Sequence, residues 1–284
     1  MSGTLYLCAT PIGNLEDITL RVLRVLKEAD LIACEDTRHS RVLLSHYDIH
    51  TPVTSYHQHN RVSKAEELVE KLAGGLNIAL ITDAGSPIIS DPGDALVQKC
   101  YENGIRVTSL PGPCAGITAL TLSGIESGRF AFYGFLPVKG RERTDLIAEL
   151  KKERMPVLLY EAPHKLKKTL ADLYAAFGDR GIVILRELTK VHEERLRFLL
   201  SDAVSYYEET EPKGEYVLIL EPGSEEELLR EEAAAFSEKP LTEQFAEYVA
   251  GGMDKKSAMK QIAKERHMSR RDVYQALLAV EETE

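Results

Sequence analysis

Short apolar runs and amphipathic stretches alternate along the first half of the chain. The apolar runs, which are rich in leucine or β-branched residues, predict strands at 4–9, 31–34, 77–82 and 105–109. The stretches between them have the spacing of helices and cover 16–29, 37–46, 61–73 and 92–103. Because the strand runs are continuously apolar instead of alternating with polar residues, they predict a parallel sheet that helices cover on both faces.

The second half of the chain repeats this alternation after a Pro/Gly break at 110–116. Strands are predicted near 130–135, 156–161, 182–187 and 215–221. Helices are predicted at 141–153, 163–177 and 201–209. Two α/β halves in series predict two consecutive α/β domains, at 1–125 and 126–222, and a cleft between such domains is where ligands usually bind.

Beyond residue 222 the pattern is helical only. Residues 221–238 are helix-like and acidic, with seven acids against one base, and a Lys-Pro break follows at 239–240. Three helical stretches then run to the chain end. We therefore predict an acidic connector at 223–239 and a small helical domain at 240–284.

The helical tail combines a helix-turn-helix pattern with basic charge. Ile262, Ala263 and Val273 have the spacing of its core, and Ser269 is placed to cap the second helix. Residues 253–274 hold seven basic and three acidic side chains. A basic helix is most often a solvated face, but together with this pattern it favours contact with RNA. The side chains predicted to make that contact are Arg270 and Arg271.

The composition excludes several classes of protein. With 44% hydrophobic and 28% charged residues, the 284-residue chain is typical of a soluble globular protein. It has no apolar run of membrane-spanning length and no N-terminal secretion signal, so we expect a cytoplasmic protein without a membrane partner. The four cysteines are widely spaced, which favours buried reduced thiols over disulfides or a zinc site.

The formal net charge of −10 argues against a nucleic-acid partner until its distribution is considered. The stretch 221–238 holds seven acids against a single arginine, and the terminal EETE adds three more acids. Two basic loops, PVKGRERTD at 137–145 and HKLKK at 164–168, and the basic tail therefore remain free to contact phosphate.

Three segments rich in turn-forming residues follow strands of the first half. ATPIGNLEDITLR contains the turn formers Pro11 and Gly13, and ITDAGSPIISDPG at 81–93 contains Gly85, which permits a close ligand approach. The tight PGP turn within 109–122 opens a helix of small residues, which a ligand or the second domain can approach closely. Such loops suit an adenosine or amino-acid moiety, and they match neither GxGxxG nor a P-loop.

A charged segment, EDTRHS at 35–40, follows the second predicted strand. Its acids and Arg38 either pair with one another or serve a ligand, and the sequence leaves both interpretations open. Five histidines lie between residues 39 and 59, including HQH at 57–59. Carboxylates at metal-ligand spacing are absent from this window, so we expect no metal.

Ionisable residues also border the strands of the second half. YEAPHKL at 160–166 and RELTKVHEE at 186–194 end two strands, and PKGEYVLIL at 212–220 opens the last one. Each segment alone is compatible with a solvated loop, but together they place acids and bases at the edges of one sheet. No nucleophile elbow and no Cys-His arrangement is present, so covalent catalysis is not predicted.

These motifs in order resemble the tetrapyrrole methylase superfamily over roughly residues 3–222. The DAGSPIISDPG and PGPCA strings are the specific ones, and YEAPH and RELTK add to them. Members that modify tetrapyrroles typically have GGDP where this chain has AGSP, so Ser86 replaces their Asp. The chain is therefore more similar to the branch of the superfamily that methylates ribosomal RNA.

The resemblance implies an enzyme that uses S-adenosylmethionine to methylate the ribose 2′-oxygen of a cytidine in the decoding region of 16S rRNA, within the 30S subunit. It also implies a homodimer with the methyl donor in the interdomain cleft. The residues that would bind the donor are Pro11, Ala84, Gly85, Ser86, Ile89, Cys114, Ala115 and Tyr160. The basic residues predicted to contact RNA from the two α/β halves are Arg38, Lys139, Arg141 and Arg143.

The implied reaction is an in-line displacement in which the protein mainly positions the reactants. A ribose hydroxyl is a poor nucleophile at neutral pH, so a nearby base or cation would assist it. The candidates are Glu161, His164, Glu187, Lys190 and Glu215. Two alternatives stay open, namely a methyltransferase of the same superfamily acting on a tetrapyrrole or protein, and a non-catalytic helix-turn-helix regulator that senses a ligand.

Overall fold

The structure is a computed structural model that describes residues 2–126, 128–223, 240–266 and 268–281. Residues up to Pro222 form one compact unit, and the remainder forms a second. The predicted acidic connector beyond Gly223 and the last three residues of the terminal EETE lie outside the described residues. The division of the first unit near residue 125 stays a prediction, because both of its sheets belong to one compact body.

The first sheet contains five strands in the order β3-β2-β4-β1-β5, and all of its pairings are parallel. Its strands are β1 (Thr4–Cys8), β2 (Leu31–Cys34), β3 (Val53–Ser55), β4 (Ile78–Ile81) and β5 (Arg106–Leu110). The helices that follow these strands along the chain are α1 (Leu20–Glu28), α2 (Thr37–His46), α3 (Arg61–Ala73), α4 (Asp94–Glu102) and α5 (Ala115–Ser123). The predicted parallel sheet is confirmed.

Helices cover both faces of the first sheet, as the continuous apolar runs predicted. Leu68 of α3 and Leu96 of α4 are buried in one cluster, whereas Val22 of α1 and Leu44 of α2 are buried in another. Strand β3 was not predicted, because its three residues are only half-buried at the sheet edge and form no apolar run. Since all five strands run in one direction, their carboxyl ends meet at a single edge.

The second sheet is mixed and has the order β6-β7-β10-β8-β9. Its strands are β6 (Ala131–Phe135), β7 (Val157–Glu161), β8 (Gly181–Arg186), β9 (Glu194–Leu199) and β10 (Tyr216–Leu220). Its helices are α6 (Arg141–Leu150), α7 (Pro163–Phe177) and α8 (Leu200–Glu209). Strand β10 is antiparallel to both of its neighbours, and Tyr216 pairs with both Glu161 and Arg186. The start of β10 therefore lies at the edge where β7 and β8 end.

Strand β9 and helix α5 show what the sequence pattern could and could not predict. Strand β9 was missed, because Arg195 and Arg197 alternate with apolar residues at the sheet edge. Helix α5 follows the first sheet but packs against the second, where Ala119 and Leu120 join a buried cluster. A Cβ atom on Gly116 would lie 3.3 Å from the Tyr160 hydroxyl, which confirms the close approach predicted for this helix.

The second unit contains three described helices, α9 (Leu241–Ala250), α10 (Lys255–Glu265) and α11 (Arg270–Glu281). Ile262, Ala263 and Val273 are buried between them, as predicted. The Ser269 hydroxyl accepts a hydrogen bond from the Asp272 amide at 3.2 Å, so it caps α11. Arg270 and Arg271 are exposed. Within the described part of the chain, no helix is both long and apolar enough to cross a membrane.

Candidate active site

A cavity of about 600 Å³ lies between loops of the first sheet and the neighbouring edge of the second. This volume is within the usual range of small-molecule sites, about 300–1,000 Å³. We call the loops that follow β1, β2, β4 and β5 the first wall. We call the end of β6, the loops that follow β7 and β8, and the start of β10 the second wall. The cavity is thus formed at the carboxyl edge of a parallel sheet, where α/β proteins bind ligands.

Backbone hydrogen bonds join the loops of the first wall into one structure. Thr10 and Gly85 exchange backbone hydrogen bonds at 2.9 and 3.1 Å, and the Ser86 hydroxyl donates to the Pro113 carbonyl at 3.0 Å. Gly85 has a φ of 83°, and a Cβ atom there would lie 3.3 Å from the Ile12 side chain. A glycine is therefore required both by the backbone conformation and by the close contact.

Left-handed backbone conformations concentrate around the cavity. Ile88 and Ser90 on the first wall have φ values of 78° and 67°, and Glu187 and Thr189 on the second wall have values of 51° and 68°. Of the described non-glycine residues, only Asp48 shares this conformation elsewhere. Each such residue costs about 1–3 kcal/mol and persists only where its surroundings fix it, which is typical of ligand sites.

Three carboxyl groups on the first wall line the cavity, namely those of Glu35, Asp83 and Asp91. Burial raises the pKa of Glu35, and the Asp91 and Asp83 carboxylates raise it further. Burial also raises the pKa of Asp91. Glu35 and Asp91 share a hydrogen bond that favours a proton on Glu35. No cation is among the described groups that shift the pKa of Glu35 or Asp91, so the protein does not neutralise this wall and its charge favours a cationic ligand.

The second wall presents the end of β7, where Tyr160 and Glu161 are both fixed by hydrogen bonds. The Tyr160 hydroxyl accepts from the Gly116 amide at 3.0 Å, and burial raises the pKa of Tyr160 to about 12. The buried Glu161 carboxylate accepts from the Ala162 amide at 2.8 Å and from the Thr169 hydroxyl. Both oxygens of Glu161 therefore already have a donor within the protein.

The structure corrects the prediction that Arg143 contacts RNA. This side chain is buried, and its guanidinium donates to Asp172 at 2.7 Å, to the Pro137 carbonyl at 2.9 Å and to Thr169 at 3.0 Å. A guanidinium with all these partners inside the protein is unavailable to phosphate. Arg143 instead orients Thr169, which in turn holds Glu161.

The other basic residues predicted to contact RNA are exposed. Arg38 forms a fork with the Asp36 carboxylate at 2.8 and 3.2 Å, which confirms the pairing alternative without excluding a ligand role. Arg141 lies 3.4 Å from Asp145, and Lys139 is exposed on the preceding loop. Their contacts with RNA, like those of Arg270 and Arg271, stay predictions.

Glu187, Lys190 and Glu215 form a charged cluster on the second wall. The Lys190 ammonium donates to Glu187 at 2.7 Å and to Glu215 at 2.9 Å. Burial lowers the pKa of Lys190, but these hydrogen bonds outweigh it and the net pKa is raised. Burial raises the pKa of Glu187, but the bonds from Lys190 and the Glu215 amide lower it overall. Glu187 and Lys190 therefore stay charged at neutral pH.

Most of the residues predicted to bind the methyl donor come together in the cavity. The predicted residues that line it are Ala84, Gly85, Ser86, Ile89, Cys114, Ala115 and Tyr160. Pro11 does not line it, but its neighbour Ile12 does. Of the candidate catalytic residues, Glu161, His164 and Glu215 line the cavity, whereas Glu187 and Lys190 reach it through Glu215. Their roles stay predictions.

Several lining residues were not predicted as site residues. Glu35, Asp83 and Asp91 lie within the motifs, and the available signal was the position of Glu35 and Asp83 just after strands and of Asp91 in the same loop as Asp83. Phe135 and Val217 are strand residues that no motif identifies. Among the described residues, no group of three or more His, Cys, Asp or Glu side chains is arranged to hold a metal ion.

The chain is similar in sequence to proteins of known name. Residues 4–204 match the family of tetrapyrrole (corrin/porphyrin) methylases. The ribosomal RNA small subunit methyltransferase I of Synechocystis sp. is 45% identical over 280 residues, which cover 98% of this chain and 99% of that protein. The enzyme of the same name from Bacillus subtilis is 43% identical over 274 residues, covering 96% of this chain and 94% of that protein.

Solved structures share the architecture of this chain at low sequence identity. Diphthine synthase superposes with a TM-score of 0.64 and 15% identity, covering 81% of this chain and 95% of that one. Uroporphyrin-III C-methyltransferase from Thermus thermophilus, complexed with S-adenosylhomocysteine, gives a TM-score of 0.56 and 18% identity, covering 77% and 97%. At such identities the likeness shows the fold alone.

Proposed function

The chain belongs to the tetrapyrrole methylase family, and from this premise we propose that it methylates ribosomal RNA of the small subunit. S-adenosylmethionine is the methyl donor. The proposed acceptor is the ribose 2′-oxygen of a cytidine in the decoding region of 16S rRNA, presented by the 30S subunit. The near full-length similarity to ribosomal RNA methyltransferases supports this substrate over a tetrapyrrole or a protein.

The observation that carries the proposal is the contrast between the two walls of the cavity. The first wall offers small residues and fixed backbone, through Gly85, Ser86 and Ala115, and its unpaired carboxyls suit a donor that carries positive charge. The second wall offers aromatic and ionisable side chains. A cavity of about 600 Å³ with these walls accommodates a nucleoside-sized donor and leaves the second wall to an acceptor.

When bound, S-adenosylmethionine supplies a methyl group on a sulfonium, which is an activated leaving group. The protein's own contribution is to orient the acceptor hydroxyl and to take up its proton. Glu161 already accepts two hydrogen bonds, and Glu187 does not line the cavity and accepts from Lys190 and the Glu215 amide. Of the candidates, His164 and Glu215 line the cavity with exposed side chains, so we propose one of these two as the proton acceptor.

We further propose that the enzyme acts as a homodimer in the cytoplasm, where 30S subunits are found. Exposed basic residues on both described units are proposed to contact the RNA backbone, which adds affinity that depends on salt. These residues are Arg38, Lys139, Arg141, Arg270 and Arg271.

The test is to incubate the full-length protein with labelled S-adenosylmethionine and undermethylated 30S subunits and to map the label. The expected result is label on one cytidine of 16S rRNA, with the adjacent phosphodiester resistant to alkali because the 2′-oxygen is blocked. Label on a base would contradict the ribose assignment. Label only on an offered tetrapyrrole or protein would support the same-superfamily alternative. Duplex DNA binding without any methyl transfer would support the regulator.

A further inference from the structure

Two phenylalanines flank Tyr160 at the mouth of the cavity. The ring centroids of Phe132 and Phe135 lie 5.0 and 5.6 Å from that of Tyr160, with interplanar angles of 70° and 64°. These are edge-to-face contacts, which hold aromatic rings in a defined orientation. Phe135 lines the cavity and is nevertheless 51% exposed. An aromatic ring is thus fixed at one edge and open to solvent at the cavity mouth.

A β-bulge in β6 produces this arrangement. Residues three apart in a regular strand point to opposite faces, so Phe132 and Phe135 would diverge. The pairing of β6 with β7 instead shifts between Phe132 and Gly134, which leaves Tyr133 as an extra residue. Gly134 has a φ of 63°, as this bulge requires. Phe135 therefore faces the same side as Phe132 and pairs directly with Tyr160.

The groups around the rings are themselves rigid. The Tyr160 hydroxyl is held by the Gly116 amide at 3.0 Å. A Cβ atom on Gly134 would lie 3.1 Å from the Ser90 hydroxyl, so the first wall touches β6 at the bulge. A rigid exposed ring loses little conformational freedom when a planar ligand stacks on it.

We propose that Phe135, supported by Phe132 and Tyr160, stacks on the base of the RNA nucleotide that receives the methyl group. This inference rests on the proposed function. Proteins that read unpaired RNA bind splayed-out bases on aromatic side chains, since every base has a π-face. The ring lies on the second wall together with His164 and Glu215. A base stacked on Phe135 would bring its own ribose towards these two groups.

The position of Phe135 favours the acceptor over the methyl donor as the stacking partner. Of the residues predicted to bind the donor, only Tyr160 lies on the second wall, and the others belong to the first wall, where Gly85 and Ser86 join the loops into one structure. Phe135 lies on the second wall, at the end of an edge strand, and half of its side chain is open to solvent. Phe132 and Phe135 are 37% and 51% exposed, so the two neighbouring rings present an apolar surface that a stacked base would cover.

The experiment compares full-length variants at Phe135 in steady-state methylation of undermethylated 30S subunits. Phe135→Ala is expected to raise the KM for subunits about tenfold or more. Its dissociation constant for S-adenosylmethionine, measured by calorimetry without RNA, should stay within about twofold of wild type. Phe135→Trp should retain a near wild-type KM, whereas Phe135→Leu, which keeps apolar bulk without a ring, should behave like the alanine variant.

Phe130→Ala is the matched control, because Phe130 is an exposed phenylalanine just before β6 that does not line the cavity. Its KM should match wild type.

A leucine variant with wild-type KM, or an alanine variant that loses donor binding, would overturn the stacking role. A changed sedimentation coefficient with an unchanged KM would assign the ring to an interface between copies. If the wild-type protein transfers no methyl to the subunits, the proposed function fails, and stacking fails with it. A retained wild-type rate in Phe135→Ala overturns stacking alone.

Discussion

The two walls of the cavity hold carboxyl groups in opposite electrostatic states. On the first wall, Glu35 and Asp91 face each other without a cation, and burial raises the pKa of both. On the second wall, Glu187 and Glu215 share the Lys190 ammonium, and the pKa of Glu187 is lowered. The first wall is therefore held by its backbone against charge repulsion, whereas the second is held by its side chains.

This difference separates two sources of rigidity. Loops fixed by backbone geometry can leave their acids unpaired, and those acids are then available to a cationic ligand. Side chains that neutralise one another keep a sheet edge in place through their own ion pairs. The difference can be tested by disrupting each wall through the interactions that hold it.

The largest effect is expected on the second wall, from Arg143→Met. Removing the guanidinium leaves the Pro137 carbonyl and Thr169 without their donor and releases the group that holds Glu161, whereas Asp172 keeps Lys168 at 3.2 Å. Leaving buried polar groups unsatisfied in this way costs about 2 kcal/mol of unfolding free energy. Urea denaturation measures the loss. The control Arg141→Ala, at an exposed position on the same helix, should change stability by less than about 0.5 kcal/mol.

A stable Arg143→Met variant with weakened RNA affinity would contradict the structural role. It would restore the original prediction that this arginine contacts phosphate.

The next largest effect is expected on the first wall, from Gly85→Ala. The left-handed backbone at Gly85 costs an alanine about 1–2 kcal/mol, and the new Cβ atom crowds Ile12. We expect donor affinity to fall about tenfold by calorimetry, since the strained loop lines the cavity proposed to bind the donor.

Gly104→Ala is the matched control for this substitution. Gly104 has a φ of 65° with no atom within 4 Å of an added Cβ, so the same backbone strain arises away from the cavity. It should lower stability while leaving donor affinity unchanged. Equal losses of donor affinity in both variants would show that the effect is global.

The walls also differ in how far the sequence predicted them. The loops of the first wall were predicted, because parallel strands bring the loops after their carboxyl ends together, and the family resemblance supplied Gly85 and Ser86 within them. The acids Glu35, Asp83 and Asp91 of the same wall were not predicted as site residues. The second wall was harder, since β10 runs antiparallel and its start, with Glu215, joins the edge from the other direction. That Arg143 is buried, and that a bulge turns Phe135 into the cavity, depends on packing and register that no periodicity encodes.

A smaller effect is expected from Lys190→Met, which removes the cation of the second wall. Glu187 has a lowered pKa, so its stabilisation is present above its ordinary value of 4.5 and disappears as the pH falls through the lowered one. Lys190 has a raised pKa, so its contribution to stability is present below its ordinary pKa of 10.5 and disappears as the pH rises through the raised pKa. The unfolding free energy of the variant should therefore be about 1 kcal/mol lower than that of the wild type between roughly pH 5 and 10. This difference should disappear at both ends of the range.

Denaturation of both proteins across this pH range measures the difference in unfolding free energy. The exposed pair of Lys167 and Glu211, 3.3 Å apart, provides the control, because Lys167→Met should show almost no difference at any pH. A constant gap at all pH values would indicate lost packing instead of lost charge.

The smallest effect on stability is expected from Asp91→Asn on the first wall. This substitution should raise stability, whereas the preceding ones lower it. In the wild-type protein, the raised pKa of Glu35 means that the folded state binds more protons than the unfolded state above pH 4.5. Stability therefore falls as the pH rises from 4.5 through the raised pKa. Asn removes one of the repelling charges, so the variant should gain stability at neutral pH, by less than about 1 kcal/mol, and this gain should vanish at low pH.

The same variant should bind S-adenosylmethionine more weakly, because the wall that attracts a cation has lost charge. A gain in stability combined with a loss in donor affinity would mark the Asp91 carboxylate as one that is retained for its ligand and not for the fold. A loss of stability at neutral pH would instead show that Asp91 supports its loop, and the two walls would then be held in the same way. Because Lys190→Met and Asp91→Asn each remove one charge, their opposite signs at pH 7 distinguish the walls without reference to the size of either effect.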